Sequence, residues 1–294
     1  MPKAIWIPFQ WQEAQLGGHN FPHAALFVPG TLPGLGNLRG WFQFDLGAPT
    51  SVLYGAALLP EQRHLITQLE PVGTAIFNGQ KHPLVNTACH VGPWHLERLV
   101  YLEEFGDRGE TIQGHPILGT IGSDSVREYI LALDYPHQRL ARLTTLPPAW
   151  EQERAWAPLQ VSDHGHILLQ VEVDGAPRWV IFDTGSSLFH LLTDAQQWNQ
   201  LTTGQVTETF PISAWGVERR VQGGPARVTF SMAGTPLTIP RIHKLANESE
   251  AERQFLAAHN LVGIAGNAPF VQYMLLLDLP HQRAAMRVAS DGSP

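Results

Sequence analysis

Cysteine is almost missing from these 294 residues: Cys89 stands alone. An internal disulfide and any multi-cysteine metal site are thereby excluded. Lysine occurs only at positions 3, 81 and 244, and no Lys/Arg-rich run appears anywhere. With a formal charge of −7, nucleic acid and anionic lipid are poor main partners, because both require a basic field. Charged residues make up 15% of the chain against a usual ~25%, which suggests extensive sheet and sizeable clefts in place of long solvated helices. No stretch approaches the ~20 apolar residues of a membrane span. The opening MPKAIWIPFQWQEAQ breaks its short apolar run at Pro8 and has neither the apolar core nor the cleavage site of a signal peptide. The expectation is a soluble, cytoplasmic protein, unless a leader was trimmed, with no membrane and no nucleic acid among its partners. What is plentiful points to a folded chain: 13 Phe, 9 Trp, 5 Tyr and 44% hydrophobic positions rule out disorder. The length allows one large domain or two of ~150 residues.

The sequence repeats itself. Residues 114–143, GHPILGTIGSDSVREYILALDYPHQRLARL, align without a gap to a segment 144 positions later that contains AHNLVGIAGNAPFVQYMLLLDLPHQRAAMR. His115/His259, Gly119/Gly263, Gly122/Gly266 and Tyr129/Tyr273 coincide, as do Leu131/Leu275, Leu133/Leu277 and Asp134/Asp278. Pro136-His137-Gln138-Arg139 recurs as Pro280-His281-Gln282-Arg283. Upstream, WFQFDLGAPTS (41–51) matches WVIFDTGSSLF (179–189) at an offset of 138. The chain therefore reads as a duplication: a first lobe over 1–146, a Pro-rich linker over 147–158, and a second lobe over 159–294. Two copies of one unit imply a pseudo-twofold axis, with any shared site built from both.

Local patterns are mostly β. HILLQVEVDGAPRWVIFDTG alternates around Asp174-Gly175 as a hairpin, and 227–242 and 273–288 read the same way. AALFVPG and GWFQFDLG bracket a Gly/Pro-rich loop. Helical patches are confined to 60–70, 193–202 and 248–260.

Each half places one Asp after an apolar run and before a glycine turn: Phe44-Asp45-Leu46-Gly47 and Phe182-Asp183-Thr184-Gly185-Ser186-Ser187. Brought together at the axis, two such carboxylates share a proton and titrate as a pair. Such a pair can deprotonate water while protonating a carbonyl oxygen, which is amide hydrolysis. FDTGSS, the repeated apolar-apolar-Gly triplets Ile117-Leu118-Gly119 and Leu261-Val262-Gly263, and the duplication together resemble the bilobal aspartic proteases of pepsin and retropepsin type. The variant is read as bacterial-type, with an atypical Asp-Leu-Gly first motif. The resemblance covers essentially the whole chain and implies two homologous β-barrel-like lobes related by a pseudo-twofold axis, with each triplet threading beside a catalytic turn. It implies Asp45 and Asp183 as catalytic carboxylates, supported by Gly47 and Gly185. It implies that Thr184 bonds across to the other lobe's backbone and that Ser186 bonds the outer carboxylate oxygen. Leu46 and Ala48 depart from the pattern and remove the first loop's hydroxyls.

The preferred expectation is an endopeptidase acting on a peptide or protein substrate in the inter-lobe cleft, with no metal or organic cofactor, and monomeric because both lobes lie in one chain. The alternative is a catalytically silent peptide-binding or regulatory protein of the same fold; hydrolysis of a non-protein amide or ester is a third. The family's flap over the cleft has three candidates: 74–85, 89–100 with Trp94, and 212–220 with Trp215. His90 and His95 near Cys89 make no metal-binding spacing, and no Gly-x-Ser-x-Gly supports a serine hydrolase. The repeated Asp134 and Asp278 are expected to be structural, as turn carboxylates. Trp41 and Trp179 are expected to pack in each lobe's own core.

Overall fold

Alternating apolar positions become strand pairing almost throughout the computed structural model, which describes residues 4–77, 79–151 and 155–288. Two large sheets form, of 11 and 15 strands among the described residues. The first is built from the first half. Its centre is the strand Leu38–Phe44, flanked by His19–Leu32 on one side and His115–Ile121 on the other. The second half repeats this core: Ala176–Phe182 lies between Ile167–Val173 and Leu261–Ala265. In both halves the strand leading to the Asp pairs antiparallel on one side and parallel on the other. Next to each Asp the strand is apolar and buried, through Val180-Ile181-Phe182 in one half and Trp41, Phe42 and Phe44 in the other, because both faces are covered there.

The expected hairpin at Asp174-Gly175 is present, with both residues at positive φ (48° and 79°), as a two-residue type I′ turn requires. The helices fall where the apolar spacing put them: Pro60–Thr67, Ala195–Leu201 and Glu250–Ala258. Asp194 caps the second of these by accepting the Gln197 N–H at 2.7 Å. Between the halves, Pro148–Glu151 forms one short helical turn before the strand Ala157–Val161.

The halves meet in a six-stranded region of the larger sheet. Its order is Ile7–Pro8, Arg139–Leu143, Ile130–Asp134, Tyr273–Asp278, Arg283–Val288 and Ala157–Val161, three strands from each half. At its centre Ala132 pairs with Leu276. These positions differ by 276 − 132 = 144, the repeat offset, so a residue faces its own counterpart and the pseudo-twofold axis passes between them. The repeated turns flank this seam in identical fashion. Asp134, buried at a strand end, bonds His137 Nδ1 and Arg139 Nε, each at 2.8 Å. Asp278 does the same with His281 and Arg283, again at 2.8 Å. The Pro-His-Gln-Arg repeat thus neutralises one buried carboxylate per half.

Candidate active site

The two Asp loops meet at the axis. Each strand ends by handing its Asp N–H to the parallel neighbour: Asp45 to the Ile121 carbonyl at 3.0 Å and Asp183 to that of Ala265 at 2.9 Å. The glycines that follow are pressed onto the opposite carboxyl. A Cβ on Gly47 would stand 2.3 Å from Asp183 Cγ, and one on Gly185 2.4 Å from Asp45 Cγ. No residue larger than glycine fits at either position without moving the partner loop. The Gly47 N–H points at both carboxyl groups, 2.9 Å from Asp45 Oδ1 and 3.1 Å from Asp183 Oδ1, so the two lie side by side.

Their surroundings are unequal. Asp183 Oδ1 accepts the N–H groups of Gly185 (2.8 Å), Gly47 (3.1 Å) and Ser186 (3.3 Å), while its Oδ2 accepts the Ser186 hydroxyl at 2.9 Å. Asp45 receives only the N–H groups of Gly47 (2.9 Å) and Ala48 (3.2 Å), both on Oδ1. Burial first, then the facing charge of Asp183 and the bond to it, hold the Asp45 carboxyl well above the usual carboxylate range. Four donors converge on Asp183, and desolvation keeps the proton on Asp45.

Across the loops, Thr184 Oγ1 donates to the Phe44 carbonyl at 2.7 Å and accepts the Leu46 N–H at 2.8 Å. Leu46 is fully buried and has no hydroxyl with which to return this bond. The triplets Ile117-Leu118-Gly119 and Leu261-Val262-Gly263 lie in the strands that run parallel beside the two Asp strands. Their glycines abut the strand on the other side, at the Val52 and Leu192 carbonyls. Gly122 and Gly266, three residues further on, lie against Ala48 and Ser186. Both glycine pairs repeat at the same offset, so the sequence alone does not distinguish them.

A cavity of about 870 Å³ opens over the carboxyl pair, at the upper end of the range for small-ligand pockets. Its walls are apolar on both sides: Phe27, Tyr54 and Ile117 from the first half, Leu188, Phe189 and Leu192 from the second. Tyr54 is held by a 2.5 Å bond between its hydroxyl and Thr120 Oγ1, and burial pushes its phenol upward.

The cover over this cavity comes from the second half. Strands Glu208–Ala214 and Val217–Pro225 form a hairpin whose tip, Trp215-Gly216, lines the cavity and sets Trp215 against Phe105 of the first half, ring centroids 5.7 Å apart. Both tip residues have positive φ, 50° and 78°, a sparsely populated conformation for Trp. Among the described residues, neither first-half flap candidate lines the cavity. The hairpin Gly73–Phe77/Gln80–Val85 lies at the edge of the smaller sheet, and Trp94 is buried in the core beside Phe44. A second bridge runs the other way. The first-half hairpin Gln10–Leu16/His19–Leu32 reaches the base of the covering hairpin, placing Phe21 5.1 Å from Phe210 and His19 Nδ1 3.5 Å from Glu208. Glu208 is also bonded by His243 Nε2 at 2.7 Å and Arg241 at 3.1 Å.

Sequence reasoning missed this His–Glu–Arg cluster, whose members come from three strands far apart in the chain. It missed Asn267 and Tyr135 too, although comparing the repeats flags both, as Asn267 stands opposite Ser123 and Tyr135 opposite Leu279. Trp41 and Trp179 do pack in separate clusters, one in each half. Among the described residues no three His, Cys, Asp or Glu side chains converge as a metal-binding group, and no helix is long and apolar enough to cross a membrane.

The sequence matches no protein-family model, and no curated protein matches it in sequence. Solved structures do match in fold. An aspartic proteinase from Irpex lacteus superimposes with a TM-score of 0.54 at 9% identity, covering 98% of both chains. Basic 7S globulin from soybean superimposes with a TM-score of 0.48 at 11% identity, covering 98% of this chain and 95% of that one. The architecture is the mostly-β, two-lobed fold of the pepsin/retropepsin type.

Proposed function

We propose that this protein is a single-chain aspartic-type endopeptidase, hydrolysing peptide bonds with one water molecule activated by Asp45 and Asp183 and no metal or organic cofactor. The observation that carries the reading is the carboxyl pair itself: a buried Asp45 and a half-buried Asp183, both bonded by the Gly47 N–H, at the floor of a cleft shared by both halves. A desolvated acid beside a second carboxyl is costly to maintain, and the differential solvation here divides the two roles. Asp183, which accepts four hydrogen bonds, takes a proton from water as the water oxygen attacks the carbonyl carbon. Asp45 gives its proton to the carbonyl oxygen. The tetrahedral diol then collapses: the C–N bond breaks, the nitrogen takes the proton from Asp183, and a diol hydroxyl returns one to Asp45. The starting protonation is restored and water has been added across the bond. Gly47 and Gly185 allow the close approach, Ser186 orients Asp183, and Thr184 joins the loops.

A binding protein without hydrolysis is the second reading. It is favoured by Leu46, which leaves the cross-loop bond one-sided, and by Trp215 resting across the cleft mouth. A mixed-peptide digest read by mass spectrometry, from about pH 3 to pH 8 where coupled Asp pairs titrate, separates the two. Endopeptidase action predicts cleavage by wild type, lost by at least a hundredfold in Asp45→Asn and in Asp183→Asn, as for removal of an essential acid or base (~10²–10⁴). Cleavage also fades as pH rises through the pair's upper apparent pKa, because one carboxyl must be protonated. Peptide retained intact by folded wild type at every pH supports the binding reading instead.

A further inference from the structure

The two halves hold their Asp loops by different means. In the first, Asp124 clamps Ser51 through its N–H (3.0 Å) and hydroxyl (2.7 Å), and Gly122 N–H bonds the Ser51 hydroxyl at 3.0 Å. In the second, the position equivalent to Asp124 is Ala268, and that clamp has no counterpart. A different network stands there. Asn267, fully buried, donates from Nδ2 to the Thr184 carbonyl (3.0 Å) and to Ser187 Oγ (2.5 Å). Ser187 Oγ donates to the same Thr184 carbonyl at 2.6 Å. Asn267 Oδ1 in turn accepts the Tyr135 hydroxyl at 2.5 Å, and Tyr135 comes from the first half, at the seam between the lobes.

We infer that Tyr135 and Asn267 are positioning residues for the carboxyl pair, substituting for the bond that Leu46 cannot make. This rests on the reading of Asp45 and Asp183 as the hydrolytic pair. Thr184 is pinned at both ends: its carbonyl by Asn267 and Ser187, its hydroxyl by Phe44 and Leu46 of the opposite loop. The chain of bonds therefore starts in the first half at Tyr135, passes through the second-half loop, and returns to the first-half loop one residue from Asp45. With no hydroxyl on the first loop, the spacing of the two carboxyls depends on how firmly Thr184 is held. Every bond in the network is between buried groups, where a fully satisfied set rigidifies its surroundings and a lost member leaves its partner unpaired. Burial raises the Tyr135 phenol well above its ordinary value, so it stays a donor throughout the working range.

The test uses Tyr135→Phe, which keeps the ring, and Asn267→Leu, which keeps the volume. Tyr101→Phe is the control, since it removes a buried hydroxyl that has no partner. Two readouts are taken on the full chain: kcat and KM against pH for a peptide chosen from the library digest, and the carboxyl ¹³C shifts of Asp45 and Asp183 across the same pH range. Tyr54 facing Asp45, and His166 facing Asp183 with His164, His259 and Arg127 around it, are common to all variants and cancel in the comparison. Tyr135→Phe should lower kcat about tenfold, the worth of roughly one neutral hydrogen bond, with KM little changed. A looser pair is more weakly coupled, so its upper apparent pKa should move to lower pH. Asn267→Leu should do the same more strongly, with no further effect from adding Tyr135→Phe, and Tyr101→Phe should move neither readout. If both folded variants keep the wild-type kcat and pair titration and lose only thermal stability, the inference is overturned. If wild type cleaves nothing, the carboxyl shifts decide alone: a moved titration in Tyr135→Phe keeps the positioning role while the hydrolytic reading falls.

Discussion

At the scale of single residues, Asp45 sits in an environment that opposes its charge, and this has a measurable cost in stability. Its raised folded-state pKa means the native state binds its proton more tightly than the unfolded chain does, so stability falls as pH rises from about 3.9 through the folded value. Asp45→Asn removes the ionisation. The variant should show a higher urea midpoint than wild type at pH 7 and a midpoint close to wild type near pH 3, where Asp45 is protonated in both states. A variant less stable than wild type at pH 7 would contradict the assignment of the proton to Asp45. Cys89 gives a second residue-scale expectation. It is fully buried and its thiol is pushed up to about 12 by burial, so iodoacetamide should label it only at the rate of unfolding. Residues like these differ in how far the sequence reveals them. Asp183 is legible from FDTGSS alone and Asp45 only because the repeat puts it in register, while the repeat marks Tyr135 and Asn267 as departures without showing their bond, which joins positions 132 residues apart.

The elements divide in the same way. Strands around Asp174-Gly175 and the helix capped by Asp194 are written locally, in turn chemistry and spacing, and the sequence reading finds them. The cover over the cavity is not, since any of three hairpins has suitable residues and only the tertiary contact of Trp215 with Phe105 selects the one in the second half. That contact predicts behaviour. An aromatic pair contributes roughly 0.5–1.5 kcal/mol beyond its buried area, so Trp215→Ala should speed amide exchange at 212–219 by roughly two- to twelvefold. Exchange in the strand Leu261–Ala265, deep in the same half, should be unchanged. Equal acceleration in both places would mean that Trp215 supports the lobe as a whole and does not secure its hairpin alone.

For the whole molecule, a histidine cluster works against the pH dependence of Asp45. His190 is held at about 4 by burial, with the charges of His243 and Arg241 adding to the effect. It charges in the unfolded chain below about 6.5 but stays neutral in the fold, so stability is lost as pH falls from there to about 4. Glu208 adds to this: the bond from His243 and the nearby cations lower its pKa, and its contribution goes as pH drops through the carboxylate range. In an Asp45→Asn background, which removes the opposing pH dependence of that carboxyl, the thermal midpoint should therefore decline between about pH 6.5 and 4, and adding His190→Phe should flatten that slope. This cluster also ties the first-half hairpin, through His19, to the base of the cover, so the same protonations bear on both bridges across the cleft.

The seam where Ala132 faces Leu276 has a consequence for concentration. When two copies of such a unit are separate chains, the pair of Asp loops exists only while the copies are associated, and dilution takes the site apart. Here the partner strand is tethered, and its effective concentration is fixed by the chain between the halves. The meeting of Asp45 with Asp183 is thereby an intramolecular event, and the site persists at any dilution at which the chain stays folded.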